Sequence, residues 1–423
     1  MNNTILAVFI SERYMPDIKD REELFNKIKK QLSDNQNIVL ICGEDDLGKL
    51  DKNCKTLIVL PASGSVQPYI IKAAELFESV IVFAGYVEGN FDADVCRKML
   101  VLNAAPSTIE VYSVLKKTAK NVYLCKDIRD VEEKKNILSA FYKVNGSKLL
   151  LIGNTEPWVL SSSTDMQIYK NQLGITVEKV PLSELTEIFA KMQDEEVKEY
   201  FDFWQENSKE LINVDTNDVY NGARLNAALL RLIENYNAEG AAVACFKLIE
   251  ETKTTACLAA SYINSNTPYV VACEGDVDSL VTMFLVKALT KDAPWMANPN
   301  LQKDKSINFV HCSAPVKVDR KKLDCVLRPH HETGAGVSTE VCFPDNSKIT
   351  AVRISDEARK ITIQSGIGSI GEKEPSCHSQ LRVTFDNYNK YIDTVLGCHQ
   401  VFSFHNIGSQ LKELAKLFEL DIL

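Results

Sequence analysis

The amino-acid sequence predicts an α/β protein with two doubly wound parallel-sheet domains, followed by a β-rich, antiparallel C-terminal domain. Apolar strand-like segments alternate with amphipathic helical segments through roughly the first 300 residues, which is the pattern of parallel sheets. Short strands of alternating polarity then take over. A chain of 423 residues is also too long for one ordinary core. We therefore expect three domains, at residues 1–146, 147–299 and 300–423.

The first domain is predicted from strands and helices that alternate. Its strands are expected at Ile5–Ile10, Ile38–Cys42, Thr56–Leu60, Val80–Ala84 and Val122–Cys125. Its helices are expected at Arg21–Leu32, Val66–Phe77, Thr108–Thr118 and Val131–Val144. Asn145 and Gly146 mark the boundary, because both residue types are common where a helix ends.

The second domain repeats this design. The strand Lys148–Ile152 leads into the loop Gly153–Trp158 at its carboxyl end. Further strands are predicted at Ile175–Val180 and Ala241–Phe246, and helices from Ser183, at Asp194–Glu210 and at Leu225–Tyr236.

The stretch Thr267–Leu289 combines a buried strand, a tight glycine turn and a helix. Glu274 follows five apolar residues, at the strand end where α/β sheets place their ligands. A poorly solvated carboxylate needs a metal, another cation or a proton as its partner. We therefore expect Glu274 to belong to a site, whereas Asp276 or Asp278 is predicted to cap the helix.

The third domain is predicted to be antiparallel. Val337–Phe343 and Ile349–Ile354 flank the turn-like Pro344–Ser347, and we expect them to form a hairpin. Gly366–Gly371 matches the string GxGxxG, but no helix follows it, as a dinucleotide site would require. We interpret this segment as a β-loop.

The composition excludes several classes of partner. A formal net charge of −9 argues against nucleic acid and anionic membranes. No apolar run approaches the roughly 20 residues that span a bilayer, and the N-terminal segment lacks the basic start of a signal peptide. The twelve cysteines form no CxxC. This pattern favours reduced thiols and predicts a cytoplasmic protein.

The histidines are confined to the last third of the chain. Histidine is the commonest metal ligand and proton shuttle near neutral pH, so this part is predicted to hold the chemistry. Each histidine alone could equally be a hydrogen-bonded core residue. The six are His311, His330, His331, His378, His399 and His405.

Five short motifs, in their order and spacing, resemble the L-fucose isomerase and L-arabinose isomerase superfamily. The resemblance covers most of the chain, is clearest from about residue 240 onward, and fits a compact, divergent member. The motifs are Ala272–Asp276 (ACEGD), His311–Cys312 with Pro315 nearby, Arg328–Gly336 (RxHxExGxG), Cys377–Gln380 (CxxQ) and Gly397–His399 (GxH).

This resemblance implies aldose–ketose isomerisation of a sugar through an enediol, in a homo-oligomer whose active site lies between subunits. It also implies a divalent metal, most commonly manganese, held here by Glu274, His311 and His399. Glu274 would in addition be the general acid/base. The residues that we expect to bind the sugar are Trp158, Arg328, His330, Glu332 and Gln380.

Asn298 stands where the resemblance places a second acidic ligand, so we assign it to the catalytic site. Its amide oxygen can contact a hard cation, but it carries no charge and has no useful basicity. A simpler interpretation is that Asn298 caps a turn before Pro299.

Three functions remain open on the sequence alone. The first is a metal-dependent sugar isomerase, acting on an unusual or modified sugar. The second is a non-catalytic or regulatory sugar-binding paralogue that kept the fold and lost the acid. The third is a lyase that uses the same enolate chemistry. Stoichiometric metal in the purified protein would favour the enzymes.

Overall fold

The computed structural model describes residues 3–32, 37–118, 121–162 and 165–423. It divides into two compact units, Met1–Ser139 and Ala140–Leu423. The predicted fold class is confirmed, because two parallel sheets with helices precede an antiparallel, β-rich region. The three-domain division at residues 146 and 299 stays a prediction. Within the described residues, no helix is both long and apolar enough to cross a membrane.

A parallel sheet of five strands organises the first unit. Its strands are β1 (Thr4–Phe9), β2 (Asn37–Ile41), β3 (Thr56–Pro61), β4 (Ser79–Phe83) and β5 (Asn121–Cys125). Its helices are α1 (Ile18–Gln31), α2 (Gln67–Ala74), α3 (Ala93–Val101), α4 (Ala104–Thr118) and the start of α5 (Ile128–Val144), with a 3-10 helix at Glu44–Lys49. The strand order is β2-β1-β3-β4-β5. Every residue of β1, β3 and β4 is buried, as in parallel strands covered on both faces.

The second unit opens with a four-stranded parallel sheet. Its strands are β6 (Lys148–Ile152), β7 (Thr176–Val180), β9 (Gly240–Val243) and β10 (Val270–Ala272), in the order β10-β9-β6-β7; a short strand, β8 (Glu210–Leu211), lies outside this sheet. The helices are α6 (Gln167–Leu173), α7 (Leu182–Lys191), α8 (Asp194–Asn207), α9 (Thr216–Asn235), α10 (Cys245–Thr252), α11 (Cys257–Asn266) and α12 (Val277–Thr290). Because the strands are parallel, the loops after β6 and β10 leave the same edge of the sheet.

Six antiparallel strands then close into a barrel. They are β11 (Trp295–Leu301), β12 (Ile307–His311), β17 (Ser347–Ser355), β18 (Lys360–Ser369), β19 (Ser379–Phe385) and β20 (Gln400–Ser403). Pairing runs β17-β20-β11-β12-β19-β18, and β18 pairs back onto β17. Both helices α13 (Tyr388–Thr394) and α14 (Gly408–Leu417) follow β19, and β21 (Asp421–Ile422) adds to β18 in parallel.

The predicted hairpin around residues 344–347 is wrong. The intervening short strands are β13 (Lys317–Val318), β14 (Lys321–Lys322), β15 (Asp324–Arg328) and β16 (Ser338–Cys342). Strand β16 pairs with β15, whereas β17 belongs to the barrel. The turn residues therefore carry the chain from one sheet to another, which local turn chemistry cannot distinguish from a hairpin.

The β-loop predicted at Gly366–Gly371 is also wrong in its first half. Gly366 and Gly368 lie inside β18, and both are paired with β19. A Cβ on Gly366 would lie 2.6 Å from the carbonyl oxygen of Thr384. These two glycines therefore permit close approach of strands in the barrel wall.

Candidate functional site

Glu274 lies on a tight turn between β10 and α12. Both Glu274 and Gly275 adopt left-handed backbone conformations, with φ of 60° and 58°. A Cβ on Gly275 would lie 2.5 Å from the carbonyl oxygen of Asn154, so only glycine fits beside the loop after β6. A left-handed non-glycine residue is strained by about 1–3 kcal/mol, and such strain often marks a functional site.

The two carboxylate oxygens of Glu274 have different neighbours. The indole Nε1–H of Trp158 donates a hydrogen bond to Oε2 at 2.8 Å. The other oxygen, Oε1, lies 3.3 Å from Nε2 of His399. Burial raises the pKa of Glu274, but His399 and His311 outweigh burial and hold that pKa below its usual value. The Glu274 carboxylate is therefore ionised and directed toward the two histidines.

The predicted metal ligands meet in space. One ligand atom each from Glu274, His311 and His399 lies within 4.8 Å of the other two. Glu274 follows β10, His311 ends β12 and His399 directly precedes β20, so three distant parts of the chain build the cluster. The two imidazole rings meet edge to face, with centroids 5.8 Å apart.

The cluster fits a divalent metal ion. One carboxylate and two imidazoles are a donor set that several first-row divalent metals accept. Nε2 of His399 is buried and has no hydrogen-bond partner among the described residues. A buried nitrogen left in this state costs free energy, and coordination of a metal would remove that cost. The Glu/His/His cluster could therefore bind a metal ion.

The electrostatics of the two histidines differ. Burial and the neighbouring His399 lower the pKa of His311 to about 3, so its imidazole is neutral. Burial also acts to lower the pKa of His399, but the neighbouring Asp276, Cys398 and Glu274 side chains raise that pKa well above the usual value. The site thus stabilises one positive charge at Nε2 of His399, whether a proton or a metal ion carries it.

A small cavity adjoins Glu274 and His311 of this cluster. Its volume is about 20 Å³, which is room for roughly one water molecule. Of the other predicted site residues, Asn298, His330 and Glu332 also face it. Its lining residues are Cys245, Phe246, Cys257, Cys273, Glu274, Asn298, His311, Cys312, His330, Glu332 and Cys377.

Asn298 lies inside strand β11, opposite Val310 of β12. The simpler interpretation, in which Asn298 caps a turn before Pro299, is therefore wrong, because Pro299 continues the same strand. Asn298 and His311 both line the cavity.

His330 and Trp158 are joined to the cavity by an aromatic contact chain. The His330 ring meets Phe246 edge to face at 5.7 Å, and Phe246 meets Trp158 in the same way at 5.0 Å. Burial and the neighbouring His331 lower the pKa of His330 to about 4. Burial and the charge of Glu274 raise the pKa of Glu332. A neutral imidazole and a second carboxyl group thus accompany Glu274.

Two predicted sugar-binding residues are engaged elsewhere. The Arg328 guanidinium forms an ion pair with Glu340 on the neighbouring strand. The Gln380 side chain accepts hydrogen bonds from Asn308 and from the backbone of Glu374, and donates to the carbonyls of Glu374 and Cys377. Neither residue lines the cavity, and their substrate-binding role stays a prediction.

One residue of this neighbourhood, Arg353, was not predicted from the sequence. It lies in β17, is fully buried, and forms an ion pair of 3.0 Å with Asp276. Asp276 does cap α12, as predicted, but it also contacts His399. A charged residue in the middle of the apolar run 349–354 was a signal, since an arginine is almost never fully buried without a partner.

The chain matches no protein-family model. It is similar to two curated proteins named sulfoquinovose isomerase, from Priestia aryabhattai and Priestia megaterium (strain ATCC 12872 / QMB1551). Each is 22% identical to this chain over 185 residues, which are 42% of this chain. The match spans 41% of the length of these relatives. This distant similarity indicates a relationship to sugar isomerases, while membership of the L-fucose isomerase superfamily stays a prediction.

Proposed function

We propose that this protein is a metal-dependent aldose–ketose isomerase that acts on a sugar through an enediol. The observation that carries the proposal is the meeting of Glu274, His311 and His399 within 4.8 Å at the carboxyl end of β10. The similarity to sulfoquinovose isomerases supports the same reaction class. A base next to a divalent cation is what proton abstraction beside a carbonyl requires.

In this proposal Glu274 moves the proton between C1 and C2 of the open-chain sugar. Trp158 holds Oε2 of the Glu274 carboxylate, and Oε1 is directed toward His399 and the proposed metal position. A bound divalent metal, which we propose to be Mn²⁺, would polarise the sugar carbonyl and stabilise negative charge on the enediolate.

Glu332 is the second carboxyl group that lines the cavity among the described residues. Burial and the charge of Glu274 raise its pKa, so Glu332 holds a proton more readily than Glu274. Two carboxyl groups whose pKa values are pushed apart can serve as acid and base in one reaction. We assign Glu332 the role of donating a proton to O1 of the sugar as the enediol forms and of accepting the proton of O2 as the ketose forms, which Asn298 cannot perform.

The sugar extends away from the metal ligands in this proposal. The cavity of about 20 Å³ has room for only one water-sized group, so most of a sugar would lie outside it, on the side where Trp158 is 53% exposed. An exposed indole offers a flat apolar face to the C–H groups of a sugar. We propose that Trp158 and His330 contact the substrate, and that a second copy of the chain completes the site in a homo-oligomer.

The relatives suggest the first sugar to test. Both carry the name of an enzyme that isomerises sulfoquinovose, and a modified hexose of this kind is the substrate class that we propose. A sugar-binding protein without activity is the second candidate. The uncharged Asn298 in the cavity favours that candidate, because a single carboxylate would hold a metal less tightly than two.

The decisive experiment is an isomerase assay of the Mn²⁺-loaded protein in D₂O. The assay compares sulfoquinovose with neutral aldohexoses, and mass spectrometry detects ketose that carries solvent deuterium. We expect a deuterated ketose with wild-type protein and none with Glu274→Gln. Absence of ketose from every sugar, despite stoichiometric metal and measurable sugar binding, would reject the isomerase and leave the binding protein.

A further inference from the structure

The Asp276 carboxylate is fully buried and lies directly behind His399. Its Oδ1 accepts a hydrogen bond from the backbone N–H of Ser279 at 3.0 Å. Its Oδ2 accepts hydrogen bonds from the hydroxyl of Ser279 at 2.8 Å and from Nη1 of Arg353 at 3.0 Å. A carboxylate has about four lone-pair sites, and Nδ1 of His399 takes another at 2.8 Å. Nη2 of Arg353 donates to Oδ1 at 3.4 Å, so protein donors engage both oxygens of Asp276.

This contact fixes which nitrogen of His399 carries a hydrogen. A carboxylate only accepts hydrogen bonds, so Nδ1–H of His399 must donate to Asp276. The free nitrogen is then Nε2, which lies 3.3 Å from Oε1 of Glu274 and has no hydrogen-bond partner among the described residues. The other imidazole tautomer would lose the Asp276 hydrogen bond and direct an N–H group at the metal position.

Arg353 holds both ends of this arrangement. Its Nη1 donates to Asp276 and also to the backbone carbonyl of His399, at 2.9 Å. Its Nη2 donates to the hydroxyl of Ser161 at 3.2 Å and lies 3.9 Å from Oδ2 of Asp278. The guanidinium is fully buried in the barrel strand β17. One rigid group thus fixes the carboxylate and the backbone of the histidine that the carboxylate orients.

We propose that Asp276 and Arg353 are positioning residues for the metal ligand His399. Arg353 fixes the Asp276 carboxylate, and Asp276 fixes the imidazole with Nδ1 protonated and Nε2 directed toward Glu274 and His311. A histidine held in this way binds a metal more tightly, because no free energy is needed to select the tautomer or ring orientation. The inference rests on the metal site of the proposed function and does not depend on the reaction.

The test measures metal binding without substrate. Metal-free wild type and Asp276→Ala would be titrated with Co²⁺, following visible absorption, and with Mn²⁺ by calorimetry. We expect Asp276→Ala to bind both ions 10- to 100-fold more weakly, with a changed Co²⁺ spectrum because the imidazole is no longer held. This outcome is separate from the isomerase assay, so an inactive protein that binds metal would reject the proposed function alone.

Asp278→Asn is the matched control. Asp278 lies two residues further along, is equally buried and close to Arg353, but bonds to Tyr169 and Ser355 instead of His399. It should lower stability to heat while leaving the Co²⁺ spectrum and the metal affinities within twofold of wild type. If Asp276→Ala and Asp278→Asn lost metal affinity equally, the cause would be destabilisation of the core by removal of a buried charge. That result would overturn the positioning role of Asp276.

Two further variants separate positioning from folding. In Asp276→Asn the amide oxygen can still accept from Nδ1–H, so we expect less loss of affinity than in Asp276→Ala. The double variant Asp276→Leu with Arg353→Met removes both buried charges and the acceptor for Nδ1–H together, which avoids an unpaired ion. If Asp276→Ala does not fold, this double variant carries the test. Wild-type metal affinity in a folded double variant would overturn the proposal.

Discussion

The two parallel sheets of this protein share an architecture but differ in what happens at the carboxyl ends of their strands. In the first sheet the polar groups there bond to one another. Ser63 at the end of β3 accepts from the backbone N–H of Ser11 after β1, at 2.7 Å. The Asn90 amide donates to the carbonyls of Ala84 and Lys126, and so joins the ends of β4 and β5.

At the equivalent edge of the second sheet, the Glu274 carboxylate and Nε2 of His399 face each other at 3.3 Å. Nε2 of His399 lacks a hydrogen bond among the described residues. Polar groups that are hydrogen-bonded to each other stabilise a fold. A buried polar group without a hydrogen bond costs free energy, and a ligand can bind to it. The difference indicates which of two similar sheets carries the chemistry.

The largest effect should follow loss of the Glu274 charge. Glu274→Gln keeps the size of the side chain but removes the proposed base, so we expect turnover to fall by at least about 10³-fold, near the upper range for general-base catalysis. The fold should persist by circular dichroism. The matched control is Asp46→Asn, which alters a carboxylate in the 3-10 helix after β2 that accepts from the backbone N–H of Cys42. Activity of Glu274→Gln within a few-fold of wild type would remove Glu274 from the mechanism.

The metal content should depend on both histidines. His311→Ala and His399→Ala each remove one of three ligands, and we expect each to lower Mn²⁺ affinity by about 100-fold or more, since loss of a supporting contact alone costs 10- to 100-fold. Metal analysis after dialysis measures the occupancy. His405→Ala is the control, because that histidine pairs with Asp292 away from the cluster. Unchanged metal content in both ligand variants would refute the assigned ligand set.

Stability, and not metal binding, should respond to change in the first sheet. Asn90→Ala removes the side chain that joins the ends of β4 and β5. The same side chain also accepts a hydrogen bond from the backbone N–H of Ile128. We expect a loss of about 1–3 kcal/mol from the free energy of unfolding, because backbone groups lose their partners. Denaturant titration measures this loss. A fall in Mn²⁺ affinity of Asn90→Ala would show that the two sheets do not divide the roles as proposed.

The sequence predicted the local parts of the site well. The strand, turn and helix around Glu274 follow from hydrophobic periodicity and from one glycine, and the Asp276 cap follows from helix chemistry. These features depend on neighbours within a few residues. The sequence-based interpretation also placed Glu274, His311 and His399 in one site, and the structure brings all three together.

What the sequence could not supply was contact between distant segments. Asp276 and His399 are 123 positions apart, and no local pattern shows that a capping residue also orients a metal ligand. The same limitation explains the incorrect hairpin, because the choice of partner strand for β16 depends on sheets built from remote residues. The ion pair between Arg353 and Asp276 could not be predicted for the same reason. Closure of the barrel buries Arg353 and brings it to Asp276, and that closure depends on remote strands.

The smallest effect, and the sharpest test of the site, concerns Asn298. It faces the cavity from β11 beside His311, so a carboxylate at this position would lie close to the metal ligands. Asn298→Asp adds one negative charge with almost no change in shape, and hard divalent cations favour charged oxygens. We expect Mn²⁺ affinity to rise roughly tenfold, which corresponds to about 1.4 kcal/mol.

Calorimetric titration of both proteins with Mn²⁺ measures this gain. Asn300→Asp is the matched control, because Asn300 lies on the same strand but bonds to Glu374 instead of facing the cavity. That variant should leave the affinity unchanged. An equal Kd for wild type and Asn298→Asp would mean that Asn298 is not at the second acidic position, and that Glu332, the other carboxyl group in the cavity lining, is the stronger candidate for a fourth ligand. A higher Mn²⁺ affinity in Asn298→Asp, but not in Asn300→Asp, would instead show that the metal site has room for one more carboxylate ligand than the natural sequence provides.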